Sequence, residues 1–231
     1  MDEMINNINN YLKHNLSFTV KLNCLDANLL PTDGRASGFI YLSPKKKHLL
    51  ITASHILKEC NSWLIETTYT QNNQTLLLRL GEYTLLKKVN IHSKLIEPID
   101  LLIYELDLSK YKDVIDKADL VIYKGSIDEE PKFEEAYGFA SWSRCEFDAN
   151  LNKLFLDAAY EIGMEYIEEI DELYSFKLEK HKGHDYYYGS SGSPISDPSG
   201  QVISIVLSGD DKNNILYGLA LRKFSSIINA L

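Results

Sequence analysis

The chain reads as an all-β protein, a barrel or sandwich with enough length for two such modules. Three observations lead there. Apolar stretches of about five to nine residues, rich in Val, Ile, Leu, Tyr and Thr, recur along most of the 231 residues with turn signals between them. Helical spacing of apolar residues is confined to the two ends. A content of 45% hydrophobic residues with a mean hydropathy of −0.21 describes a soluble globular chain that can bury one large core or two smaller ones.

In chain order, Asp2 to Lys13 places Met4, Ile5, Ile8, Tyr11 and Leu12 on one helical face. Strands are predicted at Ser17–Leu25, Ser37–Leu42, Leu49–Thr52, Trp63–Tyr69, Thr75–Leu80, Tyr83–Ile91 and Asp100–Leu106. The polar stretch Ser109–Ala118 reads as the linker between two β modules. Further strands are predicted at Leu120–Lys124, Glu135–Ser141, Leu154–Tyr160, Leu173–Leu178, Ser193–Ser196, Gln201–Ser208 and Leu216–Arg222. Phe224, Ile227, Ile228 and Leu231 close the chain at helical spacing. Trp63 and Trp142 read as core or rim packing, and the frequent tyrosines as strand packing.

Composition narrows the function. A net charge of −9 argues against nucleic acid or an anionic membrane as the main partner. Lys45-Lys46-Lys47, preceded by Pro44, reads as a solvated hairpin turn, and the acidic run Glu161, Glu165, Glu168, Glu169, Asp171, Glu172 as a solvated surface. No stretch approaches a membrane span of about 20 apolar residues, and the acidic, amide-rich start lacks the pattern of a secretory signal. Cys24, Cys60 and Cys145 are odd in number and widely spaced, which suits free thiols filling apolar space in a reducing compartment. A cytoplasmic location is therefore expected.

Three local patterns carry chemistry. In Ile51-Thr52-Ala53-Ser54-His55-Ile56-Leu57 a histidine follows a strand end among small residues, where its ring can be presented at a barrel rim. In Pro98-Ile99-Asp100-Leu101-Leu102-Ile103 an aspartate opens an apolar strand; a carboxylate there needs hydrogen-bonding partners, and an imidazole N–H is a suitable one. In Gly189-Ser190-Ser191-Gly192-Ser193-Pro194 glycines flank a serine, allowing a sharp turn that gathers backbone N–H groups as an oxyanion hole requires. Ser193 occupies the place where the Gly-x-Ser-x-Gly elbow of α/β-hydrolases needs glycine. Taken singly, each pattern also fits a bland reading: a capping or core histidine, an exposed turn aspartate, an ordinary Gly/Ser loop.

With these residues in the order His55, Asp100, Ser191, the sequence resembles the chymotrypsin/trypsin-like serine peptidases in their compact intracellular bacterial style. The matching stretches are Ala36–Ile40, Thr52–Leu57, Ile99–Leu106, Gly189–Ile195 and Gly200–Gly209. The resemblance implies two antiparallel six-stranded Greek-key barrels with helices at both ends. It implies a division into an N-terminal helix (1–15), a first barrel (16–113) holding His55 and Asp100, and a second barrel (114–231) holding Ser191. It further implies a His55–Asp100–Ser191 triad, oxyanion donors at the N–H groups of Gly189 and Ser191, and no cofactor. Asp185, six positions before Ser191, would floor the primary pocket and favour Arg or Lys, with Gly209 and Gly218 as pocket walls.

Two departures stand out. Ser190 replaces the aspartate that many secreted members carry before the nucleophile, and Ser193 replaces a common glycine. With no activation aspartate, a regulatory protein partner is expected beside the peptide substrate. The rival readings are a catalytically silent double barrel that binds peptides or proteins, and a metal site at His181-x-x-His184-Asp185.

Overall fold

A computed structural model describes residues 2–28, 31–58, 62–69, 74–89, 96–111, 121–148 and 153–231. Strand β1 (Thr19–Leu25) is the hub of the first half, with all seven side chains buried. Its apolar face, Val20, Leu22 and Cys24, enters a core with Ile40, Leu50, Trp63, Ile65 and Leu102. Its polar face is satisfied locally, as buried polar groups must be: Lys21 Nζ lies 2.8 Å from Glu66 Oε2, Asn23 Nδ2 donates to the same carboxylate at 2.5 Å, and Thr19 Oγ1 donates to the Asn15 carbonyl at 2.8 Å.

Around β1 the strands β2 (Pro31–Leu42), β3 (His48–Thr52), β4 (Trp63–Tyr69), β5 (Gln74–Arg79), β6 (Tyr83–Val89) and β7 (Ile96–Leu106) form a seven-stranded antiparallel sheet in the order β5-β4-β1-β2-β3-β7-β6. Within the expected double-barrel architecture this first module is a half-barrel of seven strands rather than six closed ones: among the described residues, β5 and β6 are the free edges. The chemistry of β6 explains an edge position, because every side chain except Leu86 is exposed and Lys87 and Lys88 face solvent. Lys45 to Lys47 form the β2–β3 turn, with Lys46 at φ 67°.

The second half is a closed barrel, β10-β13-β12-β11-β8-β9. It comprises β8 (Ala136–Asp148), β9 (Lys153–Ile170), β10 (Leu173–Lys177), β11 (Pro194–Ser196), β12 (Val202–Asp210) and β13 (Ile215–Ala220). The acidic run lies largely within β9, with Met164 directed into the barrel core and Glu165, Glu168 and Glu169 outward as a solvated surface. The strand expected at Leu120–Lys124 is reduced to one bridge, Tyr41 with Tyr123. Most of the expected linker, residues 112–118, lies outside the described residues.

Helix α1 (Asp2–Phe18) extends past the boundary expected at residue 15 and buttresses the second barrel. Tyr11 Oη donates to the Ser196 carbonyl at 2.9 Å, and the Ser196 hydroxyl donates to the buried Asn15 Oδ1 at 2.7 Å. Gly138 permits this approach, because a Cβ there would lie 2.8 Å from the Tyr11 ring. A 3-10 turn at Leu221–Phe224, which buries Phe224, leads into helix α2 (Ser225–Ala230), which buries Ile228 while Ile227 faces out.

These two helical residues join Phe18, Phe39, Ile51, Leu101, Ile205 and Leu219 in a core that welds the two halves together. The two halves thus share a seam of apolar contacts, and a cleft above that seam can be rigid.

Cys24 is disulfide-bonded, which overturns the reading of free thiols; Cys60 and the Cys145 side chain lie outside what is described. Sequence spacing could not show this, because a disulfide depends on which strands the fold makes neighbours, as it makes Cys24 the neighbour of Trp63. Cysteine usage therefore gives no support to a reducing compartment. Among the described residues, no helix is long and apolar enough to cross a membrane.

Candidate active site

The β3 strand pairs with β7 up to Thr52 opposite Leu102, then leaves the sheet through Ala53 into a short 3-10 helix, Ser54–Lys58. That departure sets the start of the 3-10 helix against the next inward position of β7, Asp100. Strand β7 begins at Ile96, so Asp100 lies within the strand instead of opening it. Its Oδ1 accepts the His55 backbone N–H at 2.8 Å and the Ser54 hydroxyl at 3.0 Å. Its Oδ2 is 2.7 Å from His55 Nδ1, and His55 Nε2 is 2.8 Å from Ser191 Oγ.

The imidazole thus joins a carboxylate from its own half of the fold to a hydroxyl from the other. With Nδ1–H donating to Asp100, Nε2 is the free acceptor facing Ser191; this tautomer is assigned from the network. Burial alone would raise the Asp100 pKa, but the hydrogen bonds and charge of His55 and the bond from Ser54 outweigh it and hold the carboxyl below its ordinary range.

Ser191 follows a turn closed by the Ser190 N–H donating to the Tyr187 carbonyl at 2.9 Å. Gly189, the third residue of that turn, has φ 85°, a conformation that favours glycine. The carbonyls of the turn are occupied. Gly189 O accepts Ser37 Oγ at 2.8 Å, Ser190 O accepts the Ser193 N–H at 2.9 Å, and Ser191 O accepts the Ser37 N–H at 2.9 Å. Among the described residues, the N–H groups of Gly189 and Ser191 have no acceptor.

Gly192, at φ 86°, seats the turn against the first half. A Cβ there would lie 2.2 Å from both Ser37 O and Thr52 Oγ1, two atoms that are themselves hydrogen-bonded at 2.6 Å.

Beside His55 a cavity of about 690 Å³ opens between the two halves, lined by Ile99, Asp100, Leu173, Leu207, Ser208 and Leu219 among others. Lys88 of β6 spans its rim to Glu172 of the second half at 2.5 Å.

The expected specificity residues fall differently. Asp185 is exposed on the turn that leads to Tyr188. Gly209 faces the imidazole of His181, whose Nε2 would lie 2.5 Å from an added Cβ, and Gly218 faces the barrel interior, against Ser204 and Ile195. His181 was read from the sequence only as a metal ligand. Its Nδ1 accepts the Gly183 N–H at 3.1 Å and its ring packs on Tyr187 at 4.7 Å and on His184 at 5.4 Å. Among the described residues, no cluster of three or more His, Cys, Asp or Glu side chains could hold a metal ion.

Sequence reasoning also missed Ser37, Thr52 and Ser141 as supports of the turn that carries Ser191. The first two lay inside stretches already singled out, whereas Ser141 carried no signal of its own.

A closed six-stranded barrel joined to a second antiparallel β module, with helices at both ends, is the fold of the chymotrypsin/trypsin-like serine proteases. Solved structures agree. The chain is similar to the human heparin binding protein (8% identity, 94% of this chain and 92% of that one, TM-score 0.62). It is similar to neuropsin, a serine protease expressed in the limbic system of mouse brain (10% identity, 94% and 95%, TM-score 0.61). It is also similar to a serine endoprotease from Yersinia pestis (11% identity, TM-score 0.56); this match takes in 96% of the present chain but only 65% of that longer one. Identities this low carry the fold alone. No family model matches the sequence, and no curated protein does.

Proposed function

We propose that the chain is a serine endopeptidase that cleaves peptide bonds in protein or peptide substrates through an acyl-enzyme intermediate. The observation that carries this is the two-sided engagement of His55, 2.7 Å from Asp100 and 2.8 Å from Ser191. In this reading Ser191 Oγ attacks the scissile carbonyl as its proton passes to His55 Nε2, which then protonates the leaving amine. Asp100 holds the productive tautomer and stabilises the imidazolium. The unpaired N–H groups of Gly189 and Ser191 receive the developing oxyanion. The cavity beside His55 accepts substrate residues next to the scissile bond.

A preference for Arg or Lys would require Asp185 at the floor of an enclosed pocket. Its exposed position gives that preference no support, so the reading extends to an endopeptidase of open specificity. Nor does the reading require the regulatory protein expected from the sequence, because the nucleophile turn is held within the chain.

Labelling with a fluorophosphonate probe tests the proposal. The wild type is expected to form a stoichiometric adduct at Ser191, and Ser191→Ala none. A wild type that stays unlabelled would instead mark a silent binding module.

A further inference from the structure

The nucleophile turn carries a feature that the triad does not explain. Ser190 stands where an ionic latch is common, and it is 1% exposed with its hydroxyl 2.7 Å from Ser141 Oγ. Ser141 is fully buried in β8 and sits 3.2 Å from the Ala159 carbonyl of β9.

A serine hydroxyl has one proton to give. A carbonyl can only accept, so Ser141 donates to Ala159 and must accept from Ser190. The result is a one-way chain, Ser190 to Ser141 to the β9 backbone, in which every member is neutral and satisfied. On the opposite side Ser37, also fully buried, donates its Oγ to the Gly189 carbonyl at 2.8 Å and its N–H to the Ser191 carbonyl at 2.9 Å. Its own carbonyl is anchored by Thr52 Oγ1 at 2.6 Å.

We infer that Ser37, Ser141 and Ser190 are positioning residues that hold the oxyanion turn in its donor-presenting form by neutral hydrogen bonds, one clamp from each half of the fold. This rests on the peptidase reading above and adds a mechanism of activation. The two donor N–H groups belong to the Tyr188–Gly189 and Ser190–Ser191 peptides, and Ser37 fixes the Gly189–Ser190 peptide between them by holding the Gly189 carbonyl. The Ser190 side chain is drawn into the barrel, which fixes the peptide that carries the Ser191 N–H. No ammonium partner and no cleavage of the chain is needed to assemble the site. A bond lost on either side leaves a buried polar group without a partner in the active form, whereas a relaxed turn can find water for it.

The test uses the full-length chain and the variants Ser37→Ala, Ser141→Ala and Ser190→Ala, with Ser141→Thr as the conservative rescue. Removing one oxyanion donor typically costs about 10²–10³ in kcat, and loosening the turn is expected to give a fraction of that, roughly 10- to 100-fold. KM and the pH dependence of kcat are expected to stay within about twofold of wild type, because the His55–Asp100 bond is untouched. Affinity for a peptide boronate, which forms a tetrahedral adduct in the anion site, is expected to fall in step with kcat, whereas the affinity of a product peptide stays unchanged. Ser141→Thr keeps the hydroxyl and is expected to recover most of kcat.

Ser190→Asp is expected to be at least as impaired as Ser190→Ala, since the buried carboxylate would meet only Ser141 and a carbonyl. Should any one alanine variant fold poorly, the other two still report. The inference is overturned if folded alanine variants keep kcat within about threefold of wild type, if kcat falls without loss of boronate affinity, or if Ser190→Asp gains activity. Wild-type protein that never reacts with a fluorophosphonate overturns the peptidase reading itself, a separate and recognisable outcome.

Discussion

Replacing Asp100 by asparagine isolates the role of the carboxylate with little disturbance of shape. An asparagine carbonyl in the place of Oδ1 still accepts the His55 N–H and the Ser54 hydroxyl, now 2.8 and 3.0 Å away. The amide nitrogen then replaces Oδ2, 2.7 Å from His55 Nδ1. Because that nitrogen only donates, Nδ1 must become an acceptor, and the imidazole proton moves to Nε2. Facing Ser191 at 2.8 Å, Nε2 can then no longer take the hydroxyl proton.

A wrong-tautomer triad loses about 10⁴ in kcat, and four decades at about 1.36 kcal/mol each make about 5.4 kcal/mol of lost transition-state stabilisation. The fold loses less, about 2 kcal/mol or below, because two of the three hydrogen bonds to this side chain survive. The assay is the initial rate of fluorophosphonate adduct formation, read by intact mass, beside thermal unfolding of the same preparations. An Asp100→Asn protein that is folded and labels within about tenfold of the wild-type rate would refute the argument.

Other expectations follow from the same geometry and packing. Since the Asp100 carboxyl titrates below its ordinary range in the native state, its contribution to stability is complete above the unfolded value of about 3.9 and disappears as pH falls through the lower native value. The stability gap between wild type and Asp100→Asn in urea unfolding should therefore narrow only below about pH 4, and a gap that is constant down to pH 3 contradicts this. Gly192→Ala places a methyl 2.2 Å from Ser37 O and Thr52 Oγ1 at φ 86°. Backbone strain and overpacking together are expected to cost about 3 kcal/mol or more and to abolish labelling; a variant with wild-type melting temperature and labelling would show that the turn is not seated there. Trp63→Ala empties a site 1% exposed in the first core, with an expected loss of about 3–5 kcal/mol, or roughly 10 °C in Tm by calorimetry; a shift under about 3 °C would mean the core collapses around the gap.

Much of the strand inventory was legible because each strand writes its own local pattern. Trp63–Tyr69 has the bounds expected of it, and most other strands differ by a few residues. The larger misses arose where charge hid periodicity. β9 runs on through Glu161 to Ile170, beyond the strand expected at Leu154–Tyr160; its outward glutamates form the solvated surface expected of them, while Met164 enters the core. The open edge at β6 and the disulfide at Cys24 were invisible, because both depend on which strands become neighbours.

The site shows the same division. His55, Asp100 and Ser191 were singled out from three short patterns and a resemblance in their order along the chain, and the all-β class was legible from the sequence alone. Only the tertiary structure decided that β3 ends where β7 presents Asp100, that the Ser191 turn leans on Ser37 from one half and on Ser141 from the other, and that Asp185 stays in solvent while His181 lies against Gly209. The physical reason is range. Propensity and hydrophobic alternation act over a few residues and are written locally. A hydrogen bond between Ser141 and Ser190 exists only after the barrel has closed, and no local pattern in either segment records it.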